Sequence, residues 1–87
     1  MTRGTDFAFS EIRYQVKANR PSGKPGSVVT LVAKASNYDW DRLIWILYDR
    51  HFVLQEAWQW ERGSYRAAFE ALKRLTPAHM RQGMRIA

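Results

Sequence analysis

Leu43-Ile44-Trp45-Ile46-Leu47-Tyr48 constrains the fold more than any other segment of this chain. Six consecutive apolar residues leave no wet side to a strand, so the run predicts a central strand covered on both faces. It is the longest uninterrupted apolar stretch present, and it falls far short of the roughly 20 residues that a membrane-spanning helix needs. Asp49-Arg50-His51 then reads as a tight hairpin turn leading into a second strand, Phe52 to Trp58. Trp58 and Trp60 share one face of that strand, and in so small a chain paired aromatics belong to the core.

The remaining elements follow from periodicity. Ile12, Tyr14 and Val16 alternate with Arg13, Gln15 and Lys17, a period of two that predicts a strand with an apolar and a polar face. Phe7-Ala8-Phe9 is the expected partner strand, with Ser10-Glu11 at the turn. Arg20 to Ser27 holds two Pro and two Gly in eight residues and reads as a loop. Val28 to Val32 is β-branched and apolar, compatible with a strand or a short helix. Asn37 to Asp41 reads as a turn with aromatic anchors. Tyr65, Ala68, Phe69, Leu72 and Leu75 recur at helical spacing, opposite Arg66, Glu70, Lys73 and Arg74. Thr76-Pro77 is an N-cap followed by Pro at the first helical position, and Gly83 can end that short helix. The expected class is α/β (α+β): a small mixed sheet of about four strands with a C-terminal amphipathic helix, forming one domain over residues 1–87.

Eighty-seven residues suffice for one core and not for two. Four Trp, four Tyr and four Phe argue against disorder, and the lack of Cys excludes disulfides and thiolate metal sites. The first residues carry no hydrophobic signal-peptide core, so a cytoplasmic protein with no membrane segment is the expectation. Net charge is +6, unevenly spread: residues 1–34 hold six bases against two acids, 35–60 two against four, and 61–87 six against two. Clustered positive charge favours a polyanion, because each phosphate contact releases condensed counterions. DNA is the expected partner, with Arg13, Arg20 and Lys24 as candidate nucleic-acid contacts. His51 and His79 stand apart from any other ligand type and do not suggest a zinc site.

Gln15 and Lys17 project from the same side of one strand, and a hairpin through residues 10–11 brings Asp6 alongside. A carboxylate, an amide oxygen and a Lys on one surface form a coherent set for phosphodiester hydrolysis. The two oxygens suit Mg²⁺, a hard cation that also retains waters. Lys17 suits the charge that develops on the phosphate.

Gly4-Thr5-Asp6 followed by Tyr14-Gln15-Val16-Lys17-Ala18 resembles the PD-(D/E)xK, or restriction-endonuclease-like, superfamily. The closer resemblance is to the Gln-x-Lys variant of Mrr-like nucleases and to related small bacterial domains. It extends over roughly residues 4–60, including Trp40 to Asp49 as the later apolar strand ending in Asp. The resemblance implies a truncated restriction-endonuclease-like core and a Mg-dependent DNA endonuclease. Asp6, Gln15 and the backbone carbonyl of Val16 would then be metal ligands, and Lys17 the catalytic lysine, with Asp6 and Gln15 beside it. That family places a helix before the Asp strand, and five residues precede Asp6 here. The helix would come from another chain or a longer protein, or the domain no longer cuts. The alternatives are a non-catalytic nucleic-acid-binding module on the same fold, or an oligomerisation module. In the latter a homodimer covers an exposed sheet face.

Overall fold

The computed structural model describes residues 6–22, 24 and 26–87. Gly4 and Thr5 of the motif, and Gly23 and Pro25 of the loop, lie outside the described residues. The chain forms β1 (Phe7–Phe9), β2 (Ile12–Asn19), β3 (Arg42–Tyr48), β4 (Leu54–Glu61), α1 (Arg62–Phe69), α2 (Pro77–Met80) and β5 (Met84–Arg85). The strands make one five-stranded mixed sheet in the order β1-β2-β3-β4-β5. Only β2 and β3 are parallel, and the other neighbours run antiparallel. The result is a small α+β domain, with one more strand than the pattern of the chain suggests because β5 pairs with Trp58 and Gln59 at the far edge.

The β1–β2 hairpin turns through Ser10 and Glu11, whose φ values are 50° and 66°. Positive φ at both central positions is the geometry of a type I′ hairpin turn, which Asn and Gly adopt with less strain. Ser10→Asn combined with Glu11→Gly is therefore expected to stabilise the domain by about 1–2 kcal/mol. The check is an upward shift of the urea midpoint at unchanged m-value.

Parallel neighbours need a crossover. Here residues 20–41 make it with no regular helix among the described residues. Val28 to Val32 is neither strand nor helix: Val28 and Leu31 are exposed, and only Val32 is buried, in a single bridge to Leu75. That bridge also corrects the helix expected to run to Leu75. α1 ends at Phe69, and Lys34 Nζ donates to the carbonyls of Glu70 and Leu72 at 2.7 and 2.8 Å. A cation on the last carbonyls completes a helix end, which frees Leu75 to reach the core in extended form. The Asn37–Asp41 turn forms as expected. Asn37 Oδ1 accepts from the Asp39 N–H at 3.0 Å, and the Trp40 indole donates back to the Asn37 carbonyl at 2.9 Å.

Strand register shows where the core lies. Gln15 stands opposite Leu43, Lys17 opposite Trp45, and Trp45 opposite Trp58, while Leu43 faces Trp60. Cross-strand partners share a face, so Gln15 and Lys17 border the face that carries Leu43, Trp45 and Trp60. Trp40, Tyr65, Phe69, Leu75 and Met80 pack onto this same face and complete the buried cluster. Edge-to-face contacts bind it together, with ring centroids 5.5 Å apart for Trp40–Tyr65 and 4.7 Å for Trp60–Phe69. Gly83 allows the closest approach: a Cβ there would lie 2.6 Å from Trp60 Nε1, which donates to the Met80 carbonyl. The opposite face carries Ile12, Tyr14, Val16, Ile44 and Ile46, all only half-buried. β3 is thus covered on one face rather than both.

Glu56 on β4 binds the Arg81 guanidinium just after α2 and accepts from the Trp58 indole at 2.9 Å. The Arg81 hydrogen bond, the largest influence, holds the Glu56 carboxyl below its ordinary value of 4.5. Asp41, Asp49 and Glu70 are lowered in the same direction by their own N–H donors. Where the folded pKa is the lower one, the unfolded chain takes up protons first. The stabilisation is then complete above the ordinary carboxyl values and is lost as pH falls through the folded ones. A melting temperature that declines between about pH 5 and about pH 3 is expected, with a shallower decline for Glu56→Gln.

Candidate nucleic-acid interface and the Asp6 site

Two loops meet beyond the carboxyl ends of the parallel pair β2 and β3, where ligands of open sheets with parallel strands commonly bind. The first follows Asn19, and the second is the β3–β4 hairpin. Asp49 organises the hairpin: its Oδ1 accepts from the N–H groups of His51 at 2.7 Å and Val53 at 3.0 Å. These bonds, led by that from Val53, hold the Asp49 carboxyl low. Asp49 is in that way occupied by the turn itself, and the turn presents Arg50 and His51. On the facing loop, the hydroxyls of Ser22 and Ser27 bond each other and Ser27 N–H donates to the Lys24 carbonyl at 3.2 Å, leaving Lys24 at the tip.

Arg20 ties the loops together. Its Nη1 donates to the Arg50 carbonyl at 2.8 Å, and its guanidinium carbon sits 4.3 Å from the Phe52 ring centre. Phe52 takes a φ of 64° to reach that position. A guanidinium stacked on a ring keeps N–H groups free at its rim for an anion. Arg50 Nε donates to His51 Nε2 at 3.3 Å. Lys24, Arg50 and His51, with Ser22 and Asp49, line an open groove of about 400 Å³. A mainly apolar pocket of about 370 Å³ adjoins it, lined by Val28, Val29, Leu47 and Tyr48 together with Gln55 and Arg81, and sharing Pro21, Ser27 and Asp49 with the groove. The four ion pairs among the described residues join Arg13–Asp41, Arg42–Glu61, Arg66–Glu70 and Arg81–Glu56, cancelling charge one for one. The +6 of the chain therefore lies outside them; two of those cations, Lys24 and Arg50, line this groove, and Arg20 is bonded to the Arg50 carbonyl beside it.

Of the three residues expected to contact nucleic acid, Lys24 lines the groove and Arg20 is fastened to the hairpin beside it. Arg13 does neither. Its guanidinium and its backbone N–H are all committed to Asp41, at 2.9 to 3.4 Å, and fasten the start of β2 to the start of β3. Arg50 and His51 read from sequence as turn residues only. The signal that would have found them is the parallel pairing of β2 with β3, which puts both following loops at one end of the sheet.

The Asp6 site lies along β2. Asp6 N–H donates to the Tyr14 carbonyl at 2.8 Å, which docks Asp6 beside Gln15. Asp6 Oδ2 accepts from the Val16 N–H at 2.6 Å and from Gln15 Nε2 at 3.1 Å. Lys17 is on the same side of β2 as Gln15 and is absent from the ion pairs of the described residues. The structure thus brings Asp6, Gln15 and Val16 into contact, and places Lys17 on their face without a bond to Asp6. Two neighbouring ligands of an octahedral Mg²⁺ stand about 3 Å apart, but the Gln15 atom 3.1 Å from Asp6 Oδ2 is the amide nitrogen, which donates to it and is no ligand. With the Val16 carbonyl on the strand edge that faces Asp6, three oxygens would face one such ion only once the Gln15 amide turns its oxygen toward Asp6. The set holds a single carboxylate, and no group of three or more His, Cys, Asp or Glu suited to a metal occurs among the described residues. His79 is structural: its Nδ1 accepts from the Thr76 N–H at 3.0 Å and caps α2.

No family model, no curated protein and no solved structure matches this chain. No helix among the described residues is long and apolar enough to cross a membrane.

Proposed function

We propose that this domain is nucleic-acid-directed and grips the phosphodiester backbone in the groove between its two loops, on a truncated restriction-endonuclease-like sheet. The observation that carries the reading is the convergence of Lys24, Arg50 and His51 on one open groove, with Arg20 fastened to the Arg50 carbonyl beside it; Asp49, the one acid among its lining residues, is already bonded to backbone N–H groups. The phosphates take the basic groove, and an unstacked base takes the apolar pocket beside it. Single-stranded DNA is therefore preferred to duplex. Fluorescence anisotropy with a labelled oligonucleotide tests it: binding to the single strand at low salt that exceeds binding to the duplex supports the reading, and no binding to either removes it.

A second reading, Mg-dependent DNA hydrolysis at Asp6, is supported by the 3.1 Å approach of Gln15 to Asp6 on the face that carries Lys17. Asp6, Gln15 and the Val16 carbonyl would hold the ion. When bound, Mg²⁺ supplies a water of lowered pKa and neutralises phosphate charge. Without the ion the Gln15 amide N–H donates to Asp6 and holds it in place, and Lys17 meets negative charge on the substrate. Plasmid nicking with Mg²⁺ should fall at least about 100-fold in Lys17→Ala, the loss expected for one preorganised charge-stabilising group. Equal nicking by both proteins, or none by either, returns the domain to binding alone.

A further inference from the structure

The face of the sheet opposite the core presents Phe7, Phe9, Ile12, Tyr14, Val16, Ile44 and Ile46 with none of the buried cluster over it. Phe7 and Tyr14 stack on it at 4.7 Å, with an interplanar angle of 11°. Phe9 is 70% exposed, and Leu54 and Met84 extend the apolar border on the far strands at 45% and 57%. Contiguous apolar surface of this kind marks an interaction site in a folded domain. We infer that a second copy of this chain covers it, the two sheets packing face to face about a two-fold axis.

Charge and area both point to a like partner. The strand residues on this face include just two charged side chains, Arg42 and Glu61, and these are paired with each other at 3.1 Å. In a chain of net charge +6, this is the surface on which two copies meet without opposing like charges. For the same reason it offers nothing to a phosphate backbone. A two-fold interface must also be self-complementary, and a flat, neutral sheet of aliphatic and aromatic side chains meets that condition, as in the aligned packing of sandwich sheets at about 10 Å. Four neighbouring strands at about 4.8 Å spacing and seven residues at about 3.3 Å give each copy a projected face of roughly 450 Å². Side-chain relief and the bordering Phe9, Leu54 and Met84 raise the area buried by two copies to about 1,200 Å², the lower bound of a specific interface. The loop groove stays open, because it lies at the strand ends rather than on this face.

Sedimentation equilibrium without nucleic acid tests the inference. The wild-type chain is expected at twice 10.2 kDa, and Ile46→Glu at the single mass with unchanged far-UV circular dichroism. All four Trp lie in or against the core on the other face, so a preserved tryptophan emission maximum shows that a variant is still folded. Should Ile46→Glu not fold, Val16→Lys on β2 gives the same reading at a strand nearer the edge. Lys73→Glu, beyond the end of α1, should remain dimeric. A monomeric wild type overturns the inference, as it would if a different protein or a further segment of a longer chain were the true cover. A dimer that survives folded Ile46→Glu or Val16→Lys overturns it too, because such a dimer forms elsewhere, through the short edge strand β1 for instance.

Discussion

Trp45→Ala is expected to abolish the cooperative thermal transition of this domain. Trp45 is fully buried at the centre of β3, between Lys17 on one neighbouring strand and Trp58 on the other. Its indole donates to Asn19 Oδ1 at 2.8 Å, and Asn19 Nδ2 in turn donates to the Leu31 carbonyl at 3.3 Å, so one side chain joins the sheet to its crossover. Truncating a buried Trp costs about 3–5 kcal/mol in lost burial and residual cavity. Leaving Asn19 without its donor adds about 1 kcal/mol. A domain of this size holds on the order of 5 kcal/mol in total, so the loss matches or exceeds the reserve. Near-UV circular dichroism during a melt is the check. Trp45→Phe, which retains most of the volume but not the N–H, should melt cooperatively at a lower temperature. A Trp45→Ala melt within a few degrees of wild type would place the core elsewhere.

The second large effect concerns binding. Lys24→Glu combined with Arg50→Glu is expected to weaken single-stranded DNA binding about 100-fold or more at low salt. The salt slope should become shallower by about 1.4, roughly 0.7 for each single-strand phosphate contact removed. Both substitutions leave the loop framework intact. Lys24 contributes only its backbone to the Ser27 bond, and Arg20 binds the carbonyl of residue 50 rather than its side chain. Arg66→Glu on α1, whose guanidinium is paired with Glu70, serves as a charge control away from the groove. Losing as much affinity there as at the groove would reduce the effect to net charge.

Local rules served this chain where a segment's conformation depends on its own neighbours. The β1–β2 hairpin, the apolar strand through Trp45, the Asp49 turn and the Thr76-Pro77 helix start all stand where alternation, turn residues and capping place them. What those rules missed depends on the partner across the sheet. Alternation in β2 reads as Ile12, Tyr14 and Val16 inward, yet the core forms on the other side. The large side chains of β3 and β4, Trp45 and Trp60, fill that side, and Gln15 and Lys17 fringe it. Period two assigns a strand two faces and cannot say which is dry. The end of α1 was illegible for a similar reason, because Lys34 and Val32 act on it from the crossover. Asp6 beside Gln15 was legible, since the hairpin between them is short. Arg50 and His51 were not, because their link to Arg20 and Lys24 passes through a parallel pairing with no local signature.

The affinity for single-stranded DNA as a function of salt concentration reads the phosphate contacts of the groove directly. With Arg20, Lys24 and Arg50 each neutralising one phosphate, log K should fall linearly against log salt. The expected slope is about −2, at roughly −0.7 per contact for a single strand. The result that would contradict the claim is a flat line, or a slope that stays the same in the Lys24→Glu, Arg50→Glu protein.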